Sequence, residues 1–116
     1  MVTSGYIPDE GDIVWINLDP QAGHEQKGRR PALVITPKEY NQIGLMIACP
    51  ITNQIKGYPF EINLNGYNVI TTGAILVDHL KSVDWHERKA MFKEKTNSKL
   101  TKQVKKYLCL LIGKDD

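Results

Sequence analysis

The chain is short of the residues that most common chemistries require. It has only two cysteines, Cys49 and Cys109. They are far apart and each sits among apolar neighbours, which excludes a disulfide framework and predicts two buried, reduced thiols. His24, His79 and His86 are dispersed as well, so no close metal-ligand spacing exists and no metal is expected. No apolar run approaches the roughly 20 residues of a membrane-spanning helix. The opening "MVTSGYIPDEGD" has no apolar signal core. A cytoplasmic protein without membrane association is the expectation. "GHEQKG" lacks both the pattern and the strand-to-helix setting of a phosphate-binding glycine loop, and no GxSxG is present. No cofactor is implied.

What is present is ordinary in amount and uneven in placement. The 116 residues predict a single domain, 1–116, able to bury a core without staples. Hydrophobic residues make up 41% and charged residues 24%, a globular balance. A formal net charge of +2 does not by itself indicate a nucleic-acid partner. The later part is nevertheless basic. Lys81, Arg88, Lys89, Lys93, Lys95, Lys99, Lys102, Lys105 and Lys106 stand against only Asp84, Glu87 and Glu94. Either one side of the fold is positive, or this is a solvated helix face with ordinary surface lysines.

Short strands dominate the pattern. "DIVWINL" is rich in β-branched and aromatic residues, and "PALVITP" and "LMIACPI" are compact apolar runs. Pro50 is expected to mark the end of the third strand, an edge or a bulge. "KEYNQIG" reads as a helical turn or a loop. "PFEINL" alternates and so buries one face. "AILVDHLKSVDW" reads as strand with a break near Asp78 and His79, and "RKAMFKEKT" as a weaker strand. Then the period changes. Leu100, Val104, Tyr107, Leu108 and Leu111 follow helical spacing, with Ser98 as the expected N-cap and Gly113 at the C-terminal cap. A mainly β fold with one C-terminal helix follows, in the form of a small, strongly bent barrel.

The candidate chemistry lies on the connections. His24, Glu25, Gln26, Lys27, Arg29 and Arg30 occupy one, and Thr52, Asn53, Gln54 and Lys56 another; Asp78 and His79 add a third polar patch. Bases, amides and hydroxyls at strand rims suit a phosphodiester, because arginine makes paired, charge-assisted bonds to phosphate. A solvated hairpin loop is the plain alternative.

Taken together, "GDIVWINLDPQAGHEQKGRRPALVITP", "YNQIGLMIACPIT", "KGYPFEINL", "GAILVDHLKSVDW" and the closing "LLIG" resemble the MazF/PemK family of toxin endoribonucleases, in order and over nearly the whole chain. The resemblance implies an SH3-like β-barrel with a C-terminal helix. It also implies a homodimer that binds single-stranded RNA across its two-fold and cuts it without a metal. The implied partner is an antitoxin with an acidic, disordered C-terminal tail. Matched position by position, the catalytic set is Arg30, Thr52 and Glu25. His24 departs from the serine that many members carry there. His24, Gln26, Lys27, Arg29, Asn53, Gln54, Lys56, Asp78, His79 and Lys81 are then the expected RNA contacts. A toxin of the same fold that poisons gyrase and cuts nothing, or a plain binding module, is the competing reading.

Overall fold

A computed structural model describes residues 5–17 and 28–113. Among these, seven strands and two helices follow in the order β1 (Asp12–Asn17), β2 (Arg29–Val34), α1 (Lys38–Asn41), β3 (Leu45–Thr52), β4 (Glu61–Asn63), β5 (Ala74–Leu76), β6 (Lys81–Asp84), β7 (Met91–Lys95) and α2 (Ser98–Ile112). All strand pairs are antiparallel, in the spatial order β4-β5-β3-β2-β1-β7, with β6 added beside β3. The expected break in "AILVDHLKSVDW" is a 3-10 turn at Val77–His79, which separates β5 from β6.

The unbroken apolar runs of β1, β2 and β3 have a physical reason: both faces of these strands are covered. One face carries Ile13, Leu33, Cys49 and Ile51 against Leu100 and Val104 of α2. The other carries Val14, Ile16, Ala32, Val34, Met46 and Ala48 against Val83 and Trp85, with Tyr6 and Ile7 over them. Since successive side chains of a strand point to opposite faces, a strand buried on both sides loses its alternation. β4 is covered on one side only, and its alternation persists: Ile62 is buried, Asn63 exposed.

Three expectations change here. Pro50 does not end the third strand, which continues to Thr52. It lies opposite Ala32 where the neighbour on the far side of β3 changes from β6, last paired at Ala48, to β5, first paired at Ile51. A residue without an N–H is least costly at such a change of partner. The N-cap of α2 is Asn97 rather than Ser98: its Oδ1 accepts from Leu100 N at 3.0 Å, while its amide donates to Tyr67 O at 2.7 Å. Cys49 is buried as expected, but Cys109 is exposed, because it falls off the apolar stripe of α2.

Two polar hubs fix the ends. Asn41, fully buried, donates to Pro8 O and Thr36 O and accepts from the Thr36 hydroxyl, and its carbonyl accepts from Trp85 Nε1. Asp12 accepts from Tyr6 Oη at 2.7 Å and from Lys95 Nζ at 2.9 Å. Lys95 and Lys105 reach Asp9 and Glu10 respectively, so the acidic opening neutralises part of the later basic stretch. Lys99, Lys102 and Lys106 remain on the exposed side of α2.

Among the described residues, the strand pairing does not close into a ring. Instead, the β4–β5 connection is fastened to β7 by one carboxylate. Glu94 accepts from Ile70 N at 3.0 Å, from Thr71 N at 2.7 Å and from the Thr71 hydroxyl. Burial acts to raise its pKa, but the Thr71 and Ile70 hydrogen bonds and the Lys93 charge outweigh it and hold the carboxyl below its ordinary value.

Two outcomes are expected. Asn97→Ala lowers the unfolding free energy in a urea titration by about 1 kcal/mol, whereas Ser98→Ala changes it by less than about 0.5 kcal/mol. Ionised Glu94 stabilises the fold above the unfolded carboxyl value of about 4.3, and this contribution is lost as pH falls through the lower folded value. Glu94→Gln is therefore less stable than wild type at neutral pH, and the gap narrows on acidification through the carboxylate range. A gap that stays constant with pH would remove this role.

Candidate active site

The register places the candidate residues. Val14 pairs with Ala32, Ala32 with Pro50, and Ala48 with Lys81. Directly paired residues share a face, as do alternate residues along a strand. Arg30, Pro50, Thr52 and Lys81 therefore lie on the face of the Val14–Met46 core, at the end where its cover runs out. Continuing the β2–β3 register by one alternate step sets Thr52 opposite Arg30.

There the sheet carries a cleft of about 470 Å³. Arg30, Thr52, Asn53, Gln54, His79 and Lys81 all line it, over an apolar base that includes Pro50 and Leu76. These six polar residues come from two strand ends, a loop, the 3-10 turn and the start of β6. Among the described residues, the lining carries two permanent cations, Arg30 and Lys81, and no carboxylate. His79 Nε2 lies 4.0 Å from Asp78 Oδ1, and Asp78 itself does not line the cleft.

The Thr52 hydroxyl is oriented. Its Oγ1 accepts from Gln54 N at 3.0 Å, which leaves the hydroxyl proton free to donate. Arg30 is exposed and, among the described residues, its side chain has no hydrogen-bond or ion-pair partner. Its backbone is nonetheless rigidly placed, opposite Ile16 and one residue before Pro31 in a paired strand.

The short segment before β5 holds Thr52 and Asn53 from behind. Gly73 has φ +110°, and a Cβ there would lie 2.3 Å from the Thr52 carbonyl oxygen. Only glycine permits this approach. Thr72 donates to Asn53 Oδ1 at 3.0 Å, and Thr71 next to it is the residue gripped by Glu94.

Arg29 points away from the cleft. Its Nη2 donates to Met91 Sδ at 2.9 Å, and its guanidinium lies 5.9 Å from the Trp15 ring centroid. Lys56 is outside the cleft; its backbone N–H, with that of Gly57, donates to the Glu61 carboxylate. Glu25, His24, Gln26 and Lys27 lie outside the described residues. Among the described residues, no group of three or more His, Cys, Asp or Glu side chains is placed to hold a metal ion.

Sequence reasoning missed Gly73, Thr72, Trp15 and Lys93. "TTG" carried only a turn signal, and a backbone approach between distant segments leaves no mark in local spacing. Trp15 and Lys93 belong to strands whose diagonal neighbours become known only with the register.

The antiparallel strands followed by a C-terminal helix are shared with a known class of small toxins. The family model for the PemK-like, MazF-like toxin of type II toxin–antitoxin systems matches residues 9–112. The endoribonuclease toxin MazF of Escherichia coli K12 is 40% identical over 113 residues, 97% of this chain and all of that protein. A crystal structure of MazF from Deinococcus radiodurans superposes with a TM-score of 0.83 at 46% identity, covering 94% of this chain and 99% of that one. A MazE–MazF structure from the same organism gives 0.82 at 40% identity, covering 95% and 99%. The chain belongs to the PemK-like, MazF-like toxin family. It is an endoribonuclease of that class, and its mainly β, barrel-like architecture with a C-terminal helix is that of the MazF structures.

Gly73→Ala should separate fold from activity. It strains a left-handed backbone at a cost of about 1–3 kcal/mol, and it pushes the Thr52 backbone away from Arg30. A displacement near 1 Å at a reacting group lowers rates on the order of 10²-fold. Measured on RNA, the variant should keep a cooperative melt but lose kcat. Unchanged kcat would show that Gly73 does not position Thr52.

Proposed function

We propose that this toxin cuts single-stranded RNA at a short recognised sequence, without a metal, using the substrate's own 2′-hydroxyl as nucleophile. In-line attack on the adjacent phosphorus yields a 2′,3′-cyclic phosphate and a 5′-hydroxyl. The observation that carries this reading is the facing pair, Arg30 and Thr52, in a cleft whose described lining holds two cations. Arg30 stabilises charge on the phosphoryl oxygens. Its guanidinium carries five N–H donors and no acceptor, which suits it to charge stabilisation rather than to the role of base. Thr52 donates its free proton to a non-bridging oxygen, in the manner of a preorganised oxyanion donor. Glu25 is the proposed base, with orientation of Arg30 through an ion pair as its alternative role; His24 adjoins it.

Sequence choice is assigned to Asn53, Gln54, Asp78 and His79, which carry groups able to read Watson–Crick edges, with Gln26 and His24 from the preceding loop. Lys27, Arg29, Lys56 and Lys81 serve the phosphates. The chain acts as one domain and as a homodimer in the cytoplasm, where cleavage of mRNA stops translation. Its antitoxin lays an acidic, disordered tail along the same cationic cleft. MazE–MazF structures similar over the whole chain support an antitoxin partner of this kind.

The test is incubation of the purified protein with RNA in the presence of a chelator, followed by mapping of the 5′ ends. Cuts at a recurring word with 5′-hydroxyl ends are expected. Arg30→Ala should lower cleavage by at least about 10²–10³-fold while the fold is kept. Cleavage abolished by the chelator, or undiminished in Arg30→Ala, overturns the mechanism. Absence of cleavage by the wild type favours a non-catalytic, target-poisoning toxin.

A further inference from the structure

A second depression, about 280 Å³, adjoins the cleft, and the reaction above does not use it. It shares Arg30, Pro31 and Asn53 with the cleft and extends onto the other sheet face, past Trp15, to Lys93 and Thr72. Trp15 pairs with Pro31 on one side and Met91 on the other, so Arg29 and Lys93 are its diagonal neighbours from the two flanking strands. Both turn toward its ring: the Arg29 guanidinium at 5.9 Å and the Lys93 ammonium at 5.3 Å from the centroid. Each is further tied, Arg29 to Met91 Sδ and Lys93 to the Thr71 hydroxyl at 2.8 Å.

Three cations therefore line one small concavity. Among the described residues, none of the three forms an ion pair with a carboxylate. Glu94 offsets part of the Lys93 charge, but its oxygens are taken by Ile70 and Thr71. Gathered like charges repel, and a bound anion relieves that repulsion. Because Arg30 borders both concavities, an anion in this depression sits directly beside the group held in the cleft. Successive phosphates of one strand meet that requirement.

We propose that this depression, resting on the RNA-cleaving reading above, binds the phosphate of a linkage neighbouring the scissile one. Lys93 and Arg29 hold that phosphate, and Trp15 positions both cations. The RNA strand thus turns around the rim at Arg30, with one phosphate on each side of it.

The probe is a 12-nucleotide RNA spanning the mapped cut, with 2′-deoxy at the attacking sugar so that binding is read without cleavage. If no cut is found, a random-sequence 12-mer replaces it. Lys93→Gln, which keeps a donor for Thr71, should weaken binding about 5–10-fold and reduce the slope of log K against log salt by about 0.7, one phosphate contact on a single strand. Arg29→Gln should act similarly, and Lys102→Gln on the outer side of α2 should change neither. With the mapped RNA, a neutral methylphosphonate at one adjacent linkage should weaken wild type but not Lys93→Gln. Wild-type affinity and salt slope in both variants, or equal weakening of wild type and Lys93→Gln by every adjacent methylphosphonate, overturns the subsite. RNA that binds with this charge dependence but is never cut overturns the cleavage reading alone.

Discussion

The fold depends on burying both faces of three adjacent strands. β1, β2 and β3 have no exposed face along most of their length, because α2 covers one side and the Trp85 layer the other. Two covers of unequal reach then create the site. Where the Trp85 layer stops, the same face that holds Val34 and Met46 continues as Arg30, Pro50 and Thr52. The cleft is the uncovered end of a core, which explains why its base is apolar and its rim polar. Side chains placed on paired strands inherit the rigidity of that core, a precision that loops do not supply.

Closure of the architecture is achieved by side chains where strand pairing runs out. Glu94 joins β7 to the β4–β5 connection, and Asn97 joins the same connection to the first turn of α2. One carboxylate and one amide therefore complete the barrel-like enclosure. The Glu94-bound segment is also the one that leads into Gly73 and supports Asn53, so the element that closes the fold is continuous with the back wall of the site.

Much of this was legible in the sequence because it is local. The strands, the break at Asp78-His79 and the change to a helical period all follow from spacing within a few residues. Arg30, Thr52, Asn53, Gln54, His79 and Lys81 were legible as polar residues at strand ends, and the register gathers all six into one cleft. What stayed hidden is non-local. Asn97 outcompetes Ser98 because Tyr67 O is within reach of its amide, and Tyr67 is distant in sequence. Pro50 stays inside β3 because its neighbour changes there, which only the sheet topology defines. Cys109 looked buried because Leu108, Leu110 and Leu111 surround it in sequence, yet a helix carries consecutive residues to different sides. Arg29 and Arg30, adjacent and chemically equal, separate because strand alternation sends one to Trp15 and the other to the cleft.

Gly73 shows where the accuracy of such a site can reside. The residue has no side chain to react, bind or titrate, and an inventory of functional groups passes over it. Yet the place of the Thr52 hydroxyl depends on a volume that Gly73 leaves empty, since any added carbon would collide with the backbone that carries it. Mutational drift at this position would change no chemistry in the cleft and would still move its geometry. Part of the enzyme's specification is thus written as an omission, one methyl group wide.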